Sequence, residues 1–369
     1  MVGGGIVGSS AAYHLGAAGE RVVLVDRADP GHATAAGAGI VAPGLSTKLS
    51  PAWEPLAFAA VGYYPQLLEE LGGSVPAAVE YRTVGAIHLA RSDAERPRLQ
   101  DAYALFAERR AAGVANIGEL SIVEGDALRS LCPVVNDAYA GVLATGAARV
   151  DGRSLRDALL LAFEAAGGKR LDGSASVIVS GSRVAGVDVG GERLDADVVI
   201  LATGAWPDAV AGPTGADFGI APQRGQILHL HHRDGETSRW PILYGFDDHY
   251  LLGFPGRRVV VGATREHGSG FDRRVTAEGQ HELLGQALSF APGLARATVV
   301  ETRVGFRPVT ADGLPLVGPV PGRDGLFLVT GLGPLGLTLG PYVGSLIAAS
   351  VLERPTPLDL SAFAPGRLA

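Results

Sequence analysis

Two hydrophobic periods alternate along the first thirty residues. Val7, Ala11, Ala12, Leu15 and Ala18 recur at the spacing of one helical face, and Gly19 closes the pattern. "RVVLVD" follows, a continuous apolar run of the kind that fills a parallel strand covered on both faces. Helical period returns in "PLAFAAVGYYPQLLEELGG", "RPRLQDAYALFAERRAAG" and "DGRSLRDALLLAFEAAGG". The stretches "VEYRTVGAIHLARS", "PQRGQILHLHH", "HYLLGF" and "RRVVVGATRE" have strand period, the last three alternating like antiparallel strands. Short strands joined by Gly/Ser turns are expected over "SASVIVSGSRVAGVDVGGERLDADVVILATGAWP", closed by the apolar strand "VVILA". The chain ends as strand, glycine turn and long helix in "GLFLVTGLGPLGLTLGPYVGSLIAASVLE". This order predicts a mixed α/β (α+β) fold: a Rossmann-like nucleotide-binding domain interleaved with a substrate domain on a largely antiparallel sheet.

The turn before the first helix carries chemistry. Gly3, Gly5 and Gly8 match G-x-G-x-x-G, where glycine permits a tight turn, close approach of backbone to a pyrophosphate, and close packing of helix on strand. Asp26 ends the next strand eighteen residues past Gly8. A carboxylate there accepts hydrogen bonds from ribose hydroxyls and repels the extra phosphate of NADP. The loop suits a dinucleotide with an unphosphorylated ribose and does not by itself separate NAD from FAD. Only Met1 and Val2 precede it, whereas strands usually have about five residues. A central strand so short is expected to leave its neighbours unpaired, which predicts a natural start upstream and the loss of several apolar residues. An apolar start is also the mark of a secretory signal, but no basic n-region is present.

Composition narrows the partners. The chain has 369 residues, 47% of them hydrophobic, and 53 glycines, enough for two domains or one with an insertion. A net charge of −7 with no basic block offers nothing to nucleic acid or an anionic membrane. Apolar runs such as "LIAASVL" are too short to span a bilayer, so the protein is expected to be soluble and cytoplasmic. Cys132 is the single cysteine and excludes an internal disulfide framework; beside Pro133 it is expected to be a small buried apolar residue. His229 and His231 share one face of a strand, but two imidazoles with no nearby carboxylate or cysteine give no expected metal site.

Three stretches together resemble the flavin-dependent D-amino-acid oxidase superfamily, in particular its glycine oxidase and D-amino-acid dehydrogenase branches. They are "VGGGIVGSSAAYHL…VVLVDR" with "ATAAGAGIV", then "ADVVILATGAW", then "GFRPVTADGLPLVGPVPGRDGLFLVTGLGPLGLTLGP". The resemblance implies FAD, with pyrophosphate and adenosine on Gly3, Gly5, Ile6, Val7 and Gly8 and the ribose on Asp26 beside Arg27. It places Thr34, Ala35, Ala36, Gly39 and Ile40 along pyrophosphate and flavin, Val177 at the adenine, and Thr203 and Gly204 in the second motif. Gly331, Gly333, Leu335, Gly336, Leu337 and Thr338 form the third, whose helix end would face the reduced flavin's pyrimidine edge. Leu332 and Pro334 depart from the residues common in relatives. Covalent relatives use a C-terminal cysteine that is missing here, so FAD is expected to be non-covalent. Residues 1–80, 146–216 and 305–369 are assigned to the FAD-binding domain, and 81–145 and 217–304 to the substrate domain.

Arg307 stands in apolar surroundings, where a guanidinium needs a partner and its planar fork suits a carboxylate. An internal salt bridge would satisfy it equally well; the resemblance implies instead that Arg307, with Tyr250, holds a substrate carboxylate. Pro255 lies farther from Tyr250 than the family's usual proline, and Trp206 is expected to be packing. The expected activity is oxidation of the C–N bond of a small amino acid (D-amino acid, glycine, sarcosine or D-proline type) by hydride transfer to flavin, giving an imino acid. Oxygen or a quinone or other electron carrier takes the electrons. Alternatives are a 2-hydroxy-acid oxidising flavoenzyme on the same fold and a truncated flavoprotein of little activity. Homo-oligomer formation is left open.

Overall fold

A computed structural model of the protein describes residues 1–72, 75–136, 138–206, 217–247 and 249–368. The end of the expected segment 146–216 therefore lies outside the described residues from 207 on. Its first structural layer is built around Val2, which pairs in parallel with Val25 on one side and Leu201 on the other. Val2 donates to the Ile200 carbonyl at 2.9 Å and accepts from Ala202 at 2.8 Å, while Gly3 donates to Val25 at 2.8 Å. Opposite Met1–Gly3 both neighbours are thus paired, contrary to the expectation drawn from the segment's length. Outward on one side lie Val23–Asp26 and Lys169–Asp172, and on the other Val199–Leu201, Leu326–Thr330 and finally the antiparallel Leu316–Pro319.

The helix Ile6–Ala17 leaves the loop and buries Ile6, Ser9, Ser10, Ala11, Ala12 and Leu15 against this sheet and two further helices, Gly152–Ala165 and Gly336–Val351. The last of these crosses closely because Gly340 and Gly344 face it; a Cβ on them would lie 2.6 Å from Ile6 Cγ2 and 2.5 Å from Ser10 Cβ. One expectation is corrected here. With its preceding turn, Gly333–Val351 is 19 residues long and apolar enough to cross a membrane by length and composition, yet most of it is buried as the core helix of this layer.

The second layer is an eight-stranded sheet in the order Thr298–Val309, Ala221–His231, Arg258–Gly262, Tyr250–Phe254, Ile242–Tyr244, Ala86–Ala90, Ala140–Ala144, Leu120–Glu124. All neighbours are antiparallel except Ile242–Tyr244 with Ala86–Ala90. Period two sends alternate residues into two cores. Ile227, Leu252 and Val260 pack with Phe106 of the helix Pro97–Ala111, whereas Leu228, Leu251, Val259 and Val261 pack with Phe290 of the helix Ala277–Phe290. Cys132 belongs to the second core as expected, its thiol pushed up to about 12 by burial. The strand Thr298–Val309 runs unbroken across the expected domain boundary at 305.

The tightest constraint is at the glycine loop. Gly3 has φ +99°, open only to glycine without strain, and a Cβ on it would run into the Ala202 carbonyl. A Cβ on Gly8 would fall well inside van der Waals contact distance of the Gly3 carbonyl oxygen. Backbone on both sides cannot yield cheaply, so Gly8→Ala is expected to cost about 2–4 kcal/mol. Urea unfolding of the apoprotein checks this: a midpoint equal to that of the parent would contradict the packing described.

Candidate active site

A cleft with a cavity volume of about 240 Å³ opens at the C-terminal ends of the parallel strands, where open α/β sheets bind ligands. Gly3, Gly5, Ile6 and Val7 form its floor at the first helix, while Gly8 lies behind them against Gly3. No side chain caps that helix by the usual route; instead the Ile6 N–H donates to Thr34 Oγ1 at 3.0 Å, which ties the turn Ala33–Ala36 to the loop. Thr34, Ala36, Gly39 and Ile40 line the cleft. Ala35 does not: its carbonyl turns away to accept from Arg153 Nε at 3.2 Å and Arg303 Nη1 at 3.4 Å.

Asp26 and Arg27 lie at one end of the cleft, Asp26 3.6 Å from Arg156 and Arg27 in an ion pair with Asp29 at 2.7 Å. The wall expected from Val177 is made by Gly173, Ser174 and Ala175; Val177 itself is buried in the core with Val2 and Val25. Val177 shares its face of the strand with Ala175 and lies two residues deeper in that core. Thr203 and Gly204 line the cleft. From the third motif Gly333, Gly336, Leu337 and Thr338 line it, as do Leu332 and Pro334. Gly331 packs behind against Thr310 and Pro315, and Leu335 packs into the helix core, so neither forms the wall.

Arg307 and Tyr250 come together at the far end, from non-adjacent strands of the eight-stranded sheet. Arg307 Nη1 donates to the Thr264 carbonyl at 3.1 Å and to Gln223 Oε1 at 3.4 Å. Its guanidinium lies over Gly225, where a Cβ would stand 2.5 Å from Nη1, and the Tyr250 ring lies over Gly262 in the same way. Burial raises the Tyr250 phenol above its ordinary pKa, opposed by the positive charges of Arg307 and Arg265. The hydroxyl therefore stays protonated as a donor.

Several wall residues were not among the expected ones. Trp206, expected to be packing, lines the cleft with its ring stacked on Phe271 (centroids 4.9 Å apart, planes at 14°) and edge-on to Phe306. Ala263 and Arg265 are brought in by the loop after Arg258–Gly262. A partly buried ion pair fixes that loop: Arg224 bonds Glu266 and lies 3.1 Å from Asp272, while Gln226 and Thr264 each bond Glu266 Oε1 at 2.8 Å. The lone glycines Gly225 and Gly262 inside strand patterns were the available signal for close side-chain approach here.

Fold and cleft define a dinucleotide-binding protein. A family model described as "FAD dependent oxidoreductase" (DAO) matches residues 1–350, and the chain belongs to that family. It is 41% identical over 366 residues to the uncharacterized oxidoreductase YurR of Bacillus subtilis, covering 99% of this chain and 97% of that one. With the glycine oxidase of Pseudomonas aeruginosa identity is 32% over 374 residues, covering 100% and 98%. The crystal structure of iminodiacetate oxidase (IdaA) from Chelativorans sp. BNC1 superposes with a TM-score of 0.94 at 39% identity, covering 99% and 98%. The protein is accordingly an FAD-dependent oxidoreductase. The cleft fits that group: its backbone floor has no room for side chains, and buried Thr203 Oγ1 has no hydrogen-bond partner among the described residues.

The strand carrying Tyr250 begins beside a charge cluster. His249 lies between Glu282 (Nε2 to Oε1, 2.9 Å) and Asp247 (3.6 Å), and Asp247 also pairs with Arg91 at 2.6 Å. Burial pulls the imidazole down, but the two carboxylates together push it above its ordinary 6.5. A raised pKa in the folded state stabilises fully below 6.5, and that stabilisation is lost as pH rises through the folded value. Partial exposure limits it to within about 1 kcal/mol. Melting temperatures between pH 6 and 9 should therefore fall less steeply for His249→Gln than for the parent; parallel curves would refute the assignment.

Proposed function

We propose that the enzyme oxidises the C–N bond of a small amino acid whose carboxylate is held by Arg307 and Tyr250. The supporting observation is the convergence of these two side chains at one end of the FAD cleft, each lying over a glycine. The guanidinium fork and the protonated phenol offer directed donors to a carboxylate, and charge-assisted bonds of this kind are among the strongest available to a protein. Bound in the cleft, FAD would accept a hydride from the α-carbon and pass the electrons on.

The chain's own contribution is to bind and orient. With the carboxylate fixed at Arg307, rotation of the small substrate is restricted and its α-hydrogen can be held toward the cofactor. Trp206 and Phe306 line this end of the cleft, and Phe271 packs against both rings. The N-terminal end of Gly336–Val351 faces the cleft, so its positive end favours negative charge developing on a bound group. No side-chain base is needed, since the substrate amine can enter neutral and lose its own proton. Among relatives, the names glycine oxidase and iminodiacetate oxidase support a small amine-bearing carboxylate as donor. We assign the electron acceptor to oxygen or a quinone-type carrier. Residues 1–80, 146–216 and 305–369 would form the FAD-binding domain, and 81–145 and 217–304 the substrate domain.

Anaerobic addition of glycine, sarcosine, D-proline or a D-amino acid should bleach the flavin band, and Arg307→Ala should lower kcat/KM for the best of them by about a hundredfold or more. Unchanged kcat/KM in that variant would reject the assignment. Peroxide formation in air distinguishes oxygen as acceptor from turnover only with a dye or quinone.

A further inference from the structure

A second, smaller cavity of about 10 Å³ borders the turn Ala33–Ala36, where Ala35 turns away from the FAD cleft. His229, Arg153, Arg258 and Arg303 line it, and Asp151 is the one carboxylate among its described lining residues. His229 is 3% exposed, and neither of its ring nitrogens has a hydrogen-bond partner among the described residues. Burial and the charge of Arg303 hold its pKa down at about 4, against the pull of Glu301. The ring is therefore neutral and carries one N–H donor. A buried donor with no acceptor is costly, so this side chain calls for a ligand in the cavity it lines.

The surrounding charge selects the sign of that ligand. Asp151 is already engaged: Oδ1 accepts from the Arg153 and Ser154 N–H groups at 3.1 Å as the cap of the helix Gly152–Ala165, and Oδ2 lies 3.1 Å from Arg258. Arg258 also meets Glu80 at 2.6 Å, and Arg303 meets Glu301 at 2.6 Å. Buried Arg149 and Arg258 both lie over the Phe254 ring, 4.4 and 4.1 Å from its centroid, and that ring lines the cavity. Arg149, Arg153, Arg258 and Arg303 thus stand against Asp151, Glu80 and Glu301, which leaves positive charge in excess. Each guanidinium has five N–H groups, more than these ion pairs use. No group of three or more His, Cys, Asp or Glu among the described residues could hold a metal ion. A cavity of this size takes one water-sized particle and has no room for an oxyanion such as phosphate.

We propose that this cavity is a halide site, in which a single chloride ion accepts hydrogen bonds from His229 and from the guanidiniums of Arg258 and Arg303, with exposed Arg153 at its rim. The site is separate from Arg307 and Tyr250, neither of which lines this cavity. Its position gives the ion a task. Arg153 Nε and Arg303 Nη1 both donate to the Ala35 carbonyl, and Thr34, next in the turn, accepts from the Ile6 N–H at the start of the first helix. An ion that holds the two guanidiniums fixes the turn, and the turn lines the FAD cleft. Halide and FAD therefore strengthen each other's binding, a coupling that must be equal in both directions.

The test uses the holoenzyme and exchanges sodium gluconate, whose anion is too large for the cavity, for sodium chloride at constant ionic strength. Chloride at about 100 mM is expected to raise the melting temperature by about 2 °C or more and to slow the release of FAD by about threefold or more. His229→Phe fills the cavity and removes the donor, and should lose both effects. His229→Gln keeps an N–H donor and should retain most of each; the flavin-to-protein absorbance ratio reports that each variant is folded. Chloride effects absent from the parent, or equal in the parent and His229→Phe, overturn the proposal. Crystals of the parent holoenzyme soaked in sodium bromide give a reading that needs no variant. An anomalous-scattering peak within hydrogen-bond reach of His229 supports the site, and an ordered water there with no anomalous signal overturns it.

Discussion

The approach of backbone to backbone at Gly3, Gly8 and Ala202 is the constraint on which the rest of the molecule depends. Three elements meet there with no side chain between them: the end of the first sheet segment, the start of the first helix, and the end of Val199–Leu201. Such closeness removes the option of small adjustments, because each partner is main chain held by its own hydrogen bonds. It also brings the C-terminal ends of the parallel strands level, so that Asp26, Thr203 and Thr330 reach one cleft. Gly340 and Gly344 repeat the device one layer out, seating the last helix on the first with its N-terminal end at the same opening.

At the substrate end the same economy serves side chains. Gly225 and Gly262 each give up a Cβ so that Arg307 and Tyr250 can lie flat on the sheet and meet across it. The frame for this is the double-sided burial of the eight-stranded sheet, which makes any shift of a strand expensive on two faces at once. Beneath the loop that follows Gly262, the bonded set of Arg224, Glu266, Gln226 and Thr264 takes the place of apolar packing. Each buried charge there has a partner, the condition under which a buried polar group specifies a geometry without a large penalty.

Much of this was legible in the chain because it is local. A helix such as Ile6–Ala17 is written in spacing, and a glycine loop followed by strand and acid is written in order. The strand Thr298–Val309 escaped notice because its first residues, "TVVETR", are largely exposed and interrupt the alternation that marks a half-buried strand. Val177 and Ala35 sit in stretches that do approach the cleft, but how far along a strand or turn the cleft reaches is set by the fold and not by local spacing. Trp206 and Arg265 were illegible for a different reason. Each reaches the wall through contacts remote in sequence, Trp206 through Phe271 and Phe306, Arg265 through a loop tied down by Arg224.

The placement of charge gives the cleft a direction that shape alone would not. Its acids, Asp26 and Asp29, lie at the glycine-loop end, where a carboxylate can accept from ribose hydroxyls and would repel a further phosphate. Between the ends the floor is uncharged backbone, able to meet a pyrophosphate with N–H groups without selecting for one orientation of the whole ligand. At the opposite end Arg265 and Arg307 line the cleft. A dinucleotide placed the wrong way round would take its ribose away from the carboxylates that can accept from its hydroxyls. The net charge of −7 would oppose the approach of an anion to most of the surface, so the paired arginines supply the local attraction that makes this opening the favourable one. Steering and orientation thus come from the same few residues, and both are set by the strand positions that the glycine contacts hold in place.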